Sequence, residues 1–160
     1  MQQELEFSVI DGKIQFPCIE VTQPIGTFYI ASIPCKTLCE ITYSDVRRIE
    51  GERKFESYLG IQRKLDPKRV QKIRDYVNTI DASFPSGIII AVDGRCANYD
   101  PKNHTMTLDA YRGDDDNIEI KQIAKVLDGQ HRIEGLRGFE GEFQLNVSIF
   151  VDADIAQQIY

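Results

Sequence analysis

Long apolar stretches are missing from this sequence. No run approaches the roughly 20 residues that a membrane-spanning helix needs, and residues 1–4 lack the basic and then apolar layout of a signal peptide. We therefore expect a cytoplasmic protein without a membrane partner.

Recognisable metal and phosphate motifs are missing as well. The four cysteines, Cys18, Cys35, Cys39 and Cys96, include no Cys-x-x-Cys pair. Cys35 and Cys39 could share one face of a helix, but this spacing alone is weak evidence for zinc. The acidic loop 113–117 lacks the remaining ligands of an EF-hand, and no Walker-type Gly-x-x-x-x-Gly-Lys-Ser/Thr motif is present. We expect reduced, mostly buried cysteines and no resident metal.

The charge balance is acidic overall and basic in one place. The 160 residues, 42% of them hydrophobic, fit one domain over residues 1–160. A net charge of −6 argues against a protein that coats DNA nonspecifically. The segment 63–74 is nevertheless basic, with Asp66 as its only acid; its basic residues are Arg63, Lys64, Lys68, Arg69, Lys72 and Arg74.

Turn residues and apolar patterns predict several strands. The continuous apolar run Ile88–Val92, β-branched except at Ala91, is typical of a central strand buried on both faces. The other predictions are an Asp11-Gly12 hairpin between 6–10 and 13–16, an antiparallel pair 17–22 and 26–33, a surface hairpin around 101–104 that exposes His104, and a strand over 143–151. The first two pairs form a possible β extension over residues 1–34.

The clearest predicted helix runs from about Pro67 to Ile80. Asp66 is the expected N-cap, and Pro67 takes the first helical position, where its missing N–H costs nothing. The core stripe consists of Val70, Ile73, Val77 and Ile80, and Lys68, Arg69 and Lys72 lie mostly outside it. These three cations either face solvent or contact a phosphate, and the sequence leaves both alternatives open.

The secondary structure of the chain from Pro34 to Ile49 is ambiguous from the sequence.

The stretch Asp128-Gly129-Gln130-His131-Arg132 reads as a tight polar turn between a strand, 123–127, and a short helix, 130–139. Gly129 permits a backbone conformation closed to other residues, and Asp128 is the expected N-cap. Free N–H groups and the helix dipole favour phosphate at such a turn, and Arg132 could add a bidentate fork. Ile133 and Leu136 are expected to face the sheet. A purely structural turn is the alternative.

This string, continued by Ile133-Glu134-Gly135-Leu136, resembles the signature of the DGQHR-domain family, whose best-known branch is DndB, associated with DNA phosphorothioate modification. A second block, from Gln62-Arg63-Lys64-Leu65-Asp66 to Phe84-Pro85, resembles the family's upstream half. Together the two blocks cover roughly residues 60–152. Arg63, in a turn within the second block, is implied to approach the same site.

The family in turn resembles the ParB N-terminal and sulfiredoxin-like fold, in which a strand, a glycine turn and a helix bind nucleotide phosphates. This implies an α+β domain with a mixed, mostly antiparallel sheet flanked by helices. Gln130 stands where sulfiredoxin has its catalytic Cys, so thiol chemistry is not expected. Gln130-His131-Arg132 replaces ParB's Glu-Arg-Arg, so nucleotide hydrolysis is not carried over. Since family members run on with further helices, we expect the N-terminal part of a longer protein.

Three functions follow as hypotheses. The first is a bacterial DNA-modification or defence protein, with regulation as one role open to it, that acts beside protein partners of the same system. It would bind nucleotide or DNA phosphate through Arg63, Asp128, Gly129, Gln130, His131 and Arg132. The second is a nucleotide hydrolase or phosphotransferase that uses Asp128, His131 or Glu134 as base and a nucleotide with Mg²⁺. The third is an interaction module in which Arg132 and Asp128 lock the sheet to the helix.

Overall fold

A computed structural model describes residues 7–10, 12–44, 65–79, 81–154 and 158. Its helices are α1 (Cys35–Ile41), α2 (Pro67–Val77) and α3 (Gln130–Leu136). Its strands are β1 (Ser8–Ile10), β2 (Lys13–Pro17), β3 (Ile19–Gln23), β4 (Gly26–Pro34), β5 (Thr42–Tyr43), β6 (Ile88–Val92), β7 (Ala97–Asp100), β8 (Thr105–Leu108), β9 (Tyr111–Arg112), β10 (Asn117–Ile118), β11 (Ala124–Asp128) and β12 (Gln144–Val151). No helix among the described residues is long and apolar enough to cross a membrane.

The strands form a six-stranded, a four-stranded and a two-stranded sheet. The six-stranded sheet has the order β3-β4-β12-β6-β11-β5. Its β12–β6 and β11–β5 pairs are parallel and the others are antiparallel. The four-stranded sheet, β1-β2-β8-β7, is antiparallel throughout. The predicted α+β class with a mixed sheet is therefore confirmed.

The predicted hairpins form where turn residues interrupt the apolar pattern. Gly12 has φ 78° between β1 and β2, and β3 pairs antiparallel with β4. The turn between β7 and β8 exposes His104, as expected. These turns could be predicted from the sequence because they depend on residues that lie next to one another in the chain.

Strand β6 occupies the centre of the larger sheet, between β12 and β11. Ile88, Ile90 and Val92 are buried, whereas Ile89 and Ala91 are only partly buried. The prediction of a central strand is thus confirmed, but the prediction of full burial on both faces is wrong. An unbroken apolar run is equally compatible with a strand that is fully buried on one face only. Alternate side chains point to opposite faces, and the sequence does not show how well the second face is covered.

Helix α2 begins as predicted, since the Asp66 side chain accepts a hydrogen bond from the Lys68 N–H at 3.0 Å. It ends at Val77, which is earlier than expected; Ile80 lies outside the described residues. Helix α3 likewise ends at Leu136 and does not continue to 139. The ambiguous segment contains α1, whose buried residues are Cys35, Leu38 and Ile41.

Helices α2 and α3 approach each other closely at Gly135. A Cβ atom at this position would lie 2.5 Å from Ile73 Cγ2, 2.8 Å from Ile73 Cβ and 3.2 Å from the Val70 carbonyl oxygen. The two separations from Ile73 are shorter than carbon atoms tolerate, so the glycine permits the contact.

We predict that Gly135→Ala destabilises the fold by about 1–3 kcal/mol, because the new methyl group overpacks the helix contact. Intrinsic helix propensity alone would give the opposite sign, a gain of about 1 kcal/mol. Urea unfolding of the variant measures this sign directly.

Gly87→Ala is the matched control, because its added Cβ would meet its nearest neighbour at an ordinary 3.5 Å. Adding Ile73→Ala to Gly135→Ala should recover part of the loss. A stabilised Gly135→Ala variant would contradict the close approach of the two helices.

The DGQHR turn as a candidate functional site

The turn after β11 takes the shape that its glycine predicts. The pairing register of β11 with β6 shifts between Val126 and Asp128, and Gly129 then has φ 99°. A Cβ on Gly129 would lie 2.9 Å from Ile88 Cγ1. Both the left-handed backbone and the close approach to β6 thus require glycine. Ile133 and Leu136 are buried, as expected.

The predicted N-cap role of Asp128 is wrong. Gly129 occupies the N-cap position of α3, and no side chain caps the helix. The Asp128 side chain is 69% exposed, and its Oδ2 lies 4.0 Å from Arg132 Nη2. Asp128 is still the last residue of β11, so the extended backbone directs its carboxylate to solvent and not onto the helix N-terminus.

Arg132 fastens α3 to the loop that leads into β6. Its Nη1 donates to the Ser86 carbonyl oxygen at 2.6 Å and to Ser86 Oγ at 3.0 Å, and its Nη2 donates to the Gly87 carbonyl oxygen at 2.9 Å. The side chain is only 16% exposed. Burial lowers the pKa of Arg132, as does the neighbouring charge of Arg69, while Asp128 raises it. These bonds are the sheet-to-helix contact that the structural hypothesis assigns to Arg132.

His131 connects the same turn to α2. Its Nε2 lies 3.0 Å from the backbone N–H of Asp66, which is the N-cap of α2. Because an N–H can only donate, Nε2 accepts and carries no proton in this arrangement. His131 could act as a base through Nε2 only after giving up its hydrogen bond from the Asp66 N–H. Gln130 precedes it in the first helical turn and is half-buried.

The far end of α3 is held by two arginines that sequence reasoning did not assign. Arg137 Nε donates to Glu134 Oε1 at 2.8 Å, and its Nη1 donates to the Cys39 carbonyl oxygen at 2.7 Å. Arg74 Nη2 donates to the Glu134 carbonyl oxygen at 3.2 Å. Arg137 directly follows α3, but the carbonyls that it bonds belong to the end of α1, so no local pattern predicts its partners. The carboxylate of Glu134, a candidate base, is therefore paired.

The exposed cations of α2 adjoin this turn. Lys68, Arg69 and Lys72 are all exposed, as the sequence pattern predicts. Arg69 lies near enough to Arg132 for its charge to lower the pKa of Arg132. Arg63, the other predicted contributor, lies outside the described residues.

Clefts open elsewhere on the described surface. One of about 1070 Å³ is lined by residues of α1 and by the segment 136–141, and one of about 460 Å³ lies at the ends of β6 and β12. A third, of about 480 Å³, is lined by residues at the ends of α2 and α3, including Arg74 and Gly135. None of the three includes a residue of the DGQHR turn. Among the described residues, no group of three or more His, Cys, Asp or Glu side chains is placed to hold a metal ion.

Comparison with protein families gives one decisive match. The family model for DndB, described as DNA-sulfur modification-associated, matches residues 16–159. The chain belongs to the DndB family. The predicted family is confirmed, and with it the association with DNA phosphorothioate modification. Neither the curated proteins nor the solved structures gave a match, so the likeness to ParB and sulfiredoxin stays a prediction for this DndB-family chain.

We predict that Arg132→Ala lowers the free energy of unfolding by about 2–4 kcal/mol, since partly buried carbonyls lose charge-assisted hydrogen bonds. Arg132→Lys should recover only part of this loss, because a single ammonium group lacks the two planar Nη donors that bond Ser86 and Gly87 together. Urea denaturation of the three proteins provides the measurement.

Asp128→Asn is the control, because its carboxylate is exposed and its ion pair is long. This variant should stay within about 0.5 kcal/mol of the parent. An Arg132→Ala protein as stable as the parent would show that the contacts to Ser86 and Gly87 do not hold the fold.

Proposed function

We propose that this domain binds DNA through its backbone phosphates, in an accessory or regulatory role within a DNA-modification system. The contact surface, here called the basic face, consists of Lys68, Arg69 and Lys72 on α2 together with the DGQHR turn. The observation that carries the proposal is the hydrogen bond by which His131 Nε2 accepts from the N–H of Asp66, the N-cap of α2. It joins the helix that carries the three exposed cations to the DGQHR turn.

The electrostatics of the basic face favour an anion. The chain has a net charge of −6, yet three exposed cations lie on the one helix that His131 joins to the turn. Burial lowers the pKa of Arg132, Asp128 raises it, and the charge of Arg69 lowers it. A phosphate placed nearby would relieve this repulsion, and it would release condensed counterions from DNA.

The shape of the basic face favours a polymer over a small nucleotide. Lys72 lies four residues after Lys68 and three after Arg69, so its side chain neighbours both on the exposed side of α2. A row of cations on an exposed helix can follow a sugar–phosphate backbone, whereas small-molecule sites are concave. The clefts of about 1070, 460 and 480 Å³ include no residue of the turn.

The DGQHR residues serve this surface mainly by positioning it. His131 bonds the N-cap of α2, and Arg132 bonds the loop before β6, so both hold α2 and the turn in place. Arg132 also adds its charge to the surface without giving up these bonds. A hydrolase would need His131, Asp128 or Glu134 as base, and two of these already have structural partners.

We predict that replacing Lys68, Arg69 and Lys72 together by Gln weakens binding to duplex DNA and flattens its salt dependence. Each lost phosphate contact should reduce the slope of log K against log salt by about 0.9, so the slope should fall by roughly 2–3. Fluorescence anisotropy with labelled duplexes over a salt series measures both effects.

A triple Gln variant of Lys13, Lys102 and Arg112 removes the same charge from exposed positions on other elements. This control variant should keep most of the parent's slope of log K against log salt. Equal slopes in the two variants would reject the basic face, and no measurable DNA binding by the parent would reject the DNA proposal. A parallel thermal-shift measurement uses ATP, CTP and GTP with Mg²⁺. If the parent does not bind DNA but one nucleotide raises its melting temperature, the ligand is that nucleotide.

A further inference from the structure

Strand β3 forms one edge of the six-stranded sheet. Among the described strands it pairs with β4 alone, in a regular antiparallel register that runs from Ile19 opposite Ile30 to Gln23 opposite Gly26. Every residue of β3 is exposed except Val21, which is partly buried. The side of β3 that faces away from β4 is therefore accessible to another strand.

This edge is longer and less protected than the others. The remaining edge strands of the described sheets have between two and four residues, whereas β3 has five. Proteins protect an edge from pairing with another chain by keeping it short, by placing lysine or proline in it, or by a bulge. Strand β3 contains neither lysine nor proline, and its register with β4 has no bulge. Its single charged residue is Glu20.

The hairpin that joins β3 to β4 fixes which backbone groups of β3 face outward. Its loop has two residues, so Gln23 and Gly26, which flank the loop, form a hydrogen-bonded pair. Bonded and non-bonded pairs alternate along an antiparallel ladder. The next pair, Thr22 and Thr27, is a non-bonded one, in agreement with the 3.3 Å between their Oγ1 atoms. The N–H and C=O groups of Glu20 and Thr22 consequently point away from β4.

These outward groups are complementary to those of a second copy of the same strand. A two-fold axis at Val21 places Glu20 opposite Thr22 of the second copy, so the outward groups of both residues gain partners. In this register the Glu20 carboxylate faces a hydroxyl group. A shift by two residues in one direction would set the two Glu20 carboxylates opposite each other, and a shift in the other direction would set Glu20 opposite Pro24, which has no N–H.

Apolar side chains on one face of the hairpin would continue across this contact. Ile19 is 67% exposed, more than any other large hydrophobic side chain described, and its cross-strand neighbour Ile30 is 40% exposed. Val21 lies two residues after Ile19 and therefore on the same face. In the symmetric pair, Val21 would lie opposite Val21 of the second copy, with Ile19 diagonal to it. Burial of these side chains favours association.

We propose that two copies of this chain associate through β3, edge to edge, as an antiparallel two-fold dimer that joins their six-stranded sheets. The occupant of the edge is a second copy because the pattern of polar, charged and apolar residues matches itself about Val21. A strand of five residues makes a small interface. The dimer therefore forms reversibly and depends on protein concentration.

The test measures the mass of the full 160-residue chain by sedimentation velocity over a concentration series. We expect the parent to pass from monomer to dimer as its concentration rises. Val21→Lys and Val21→Glu should each stay monomeric, because the axis sets each new charge opposite its own copy. An equal mixture of these two variants should dimerise again, since opposite charges then face each other.

Ile10→Lys is the matched control, because it adds the same charge to a side chain that is 62% exposed on another edge strand, β1. It should dimerise as the parent does. Thermal melts followed by circular dichroism establish that the Val21 variants are folded. Thr22→Pro tests the edge independently, because it removes an N–H that β4 does not use, and it should also be monomeric.

A parent that stays monomeric over the whole series would overturn the proposal and leave the edge to a strand of another protein. A dimer that survives the Val21 variants and Thr22→Pro would place the interface elsewhere, as would a dimer lost with Ile10→Lys. A mixture of the two Val21 variants that stays monomeric would reject the two-fold axis at Val21. None of these outcomes depends on DNA binding.

Discussion

The hydrogen bonds of Arg132 to Ser86 and Gly87 join the DGQHR turn to the start of the central strand. The preceding carbonyl, that of Pro85, accepts from the Asn146 side chain at 3.1 Å. Three successive backbone carbonyls are thus satisfied by side chains from two other elements. Without them, the partly buried Gly87 carbonyl would lack a protein partner, and the exposed Pro85 and Ser86 carbonyls would turn to water. These bonds fix the loop from which β6 starts, and the strand itself is held by its pairing with β11 and β12.

The same seven-residue helix is anchored at both ends. Its first turn bonds the start of α2 through His131 and the β6 loop through Arg132, and its last turn bonds the end of α1 through Arg137. A helix this short has little stability of its own, so tertiary contacts must supply it. The arrangement of charge follows from these anchors, because they hold α2, with its exposed cations, against the helix that carries Arg132.

Local features of the sequence predicted much of the fold. The hairpin at Gly12, the cap by Asp66 and the left-handed turn at Gly129 were all recognisable. Each depends on the steric or hydrogen-bonding properties of residues within a few positions of one another. Helix α1 was missed because its seven residues are too few for a clear period, and its apolar side is defined only by the elements it meets.

In the candidate site, too, some features follow from local sequence and others only from how the elements pack. The sequence by itself determined the family, the α+β class, the glycine turn and the exposed cations of α2, since these are properties of residue type and short spacing. Only the tertiary structure decided that Asp128 faces solvent, that Arg132 bonds a loop 45 residues upstream, and that Cys35 and Cys39 face α3. Side-chain partners distant in sequence are chosen by how elements pack, and no local pattern encodes that choice.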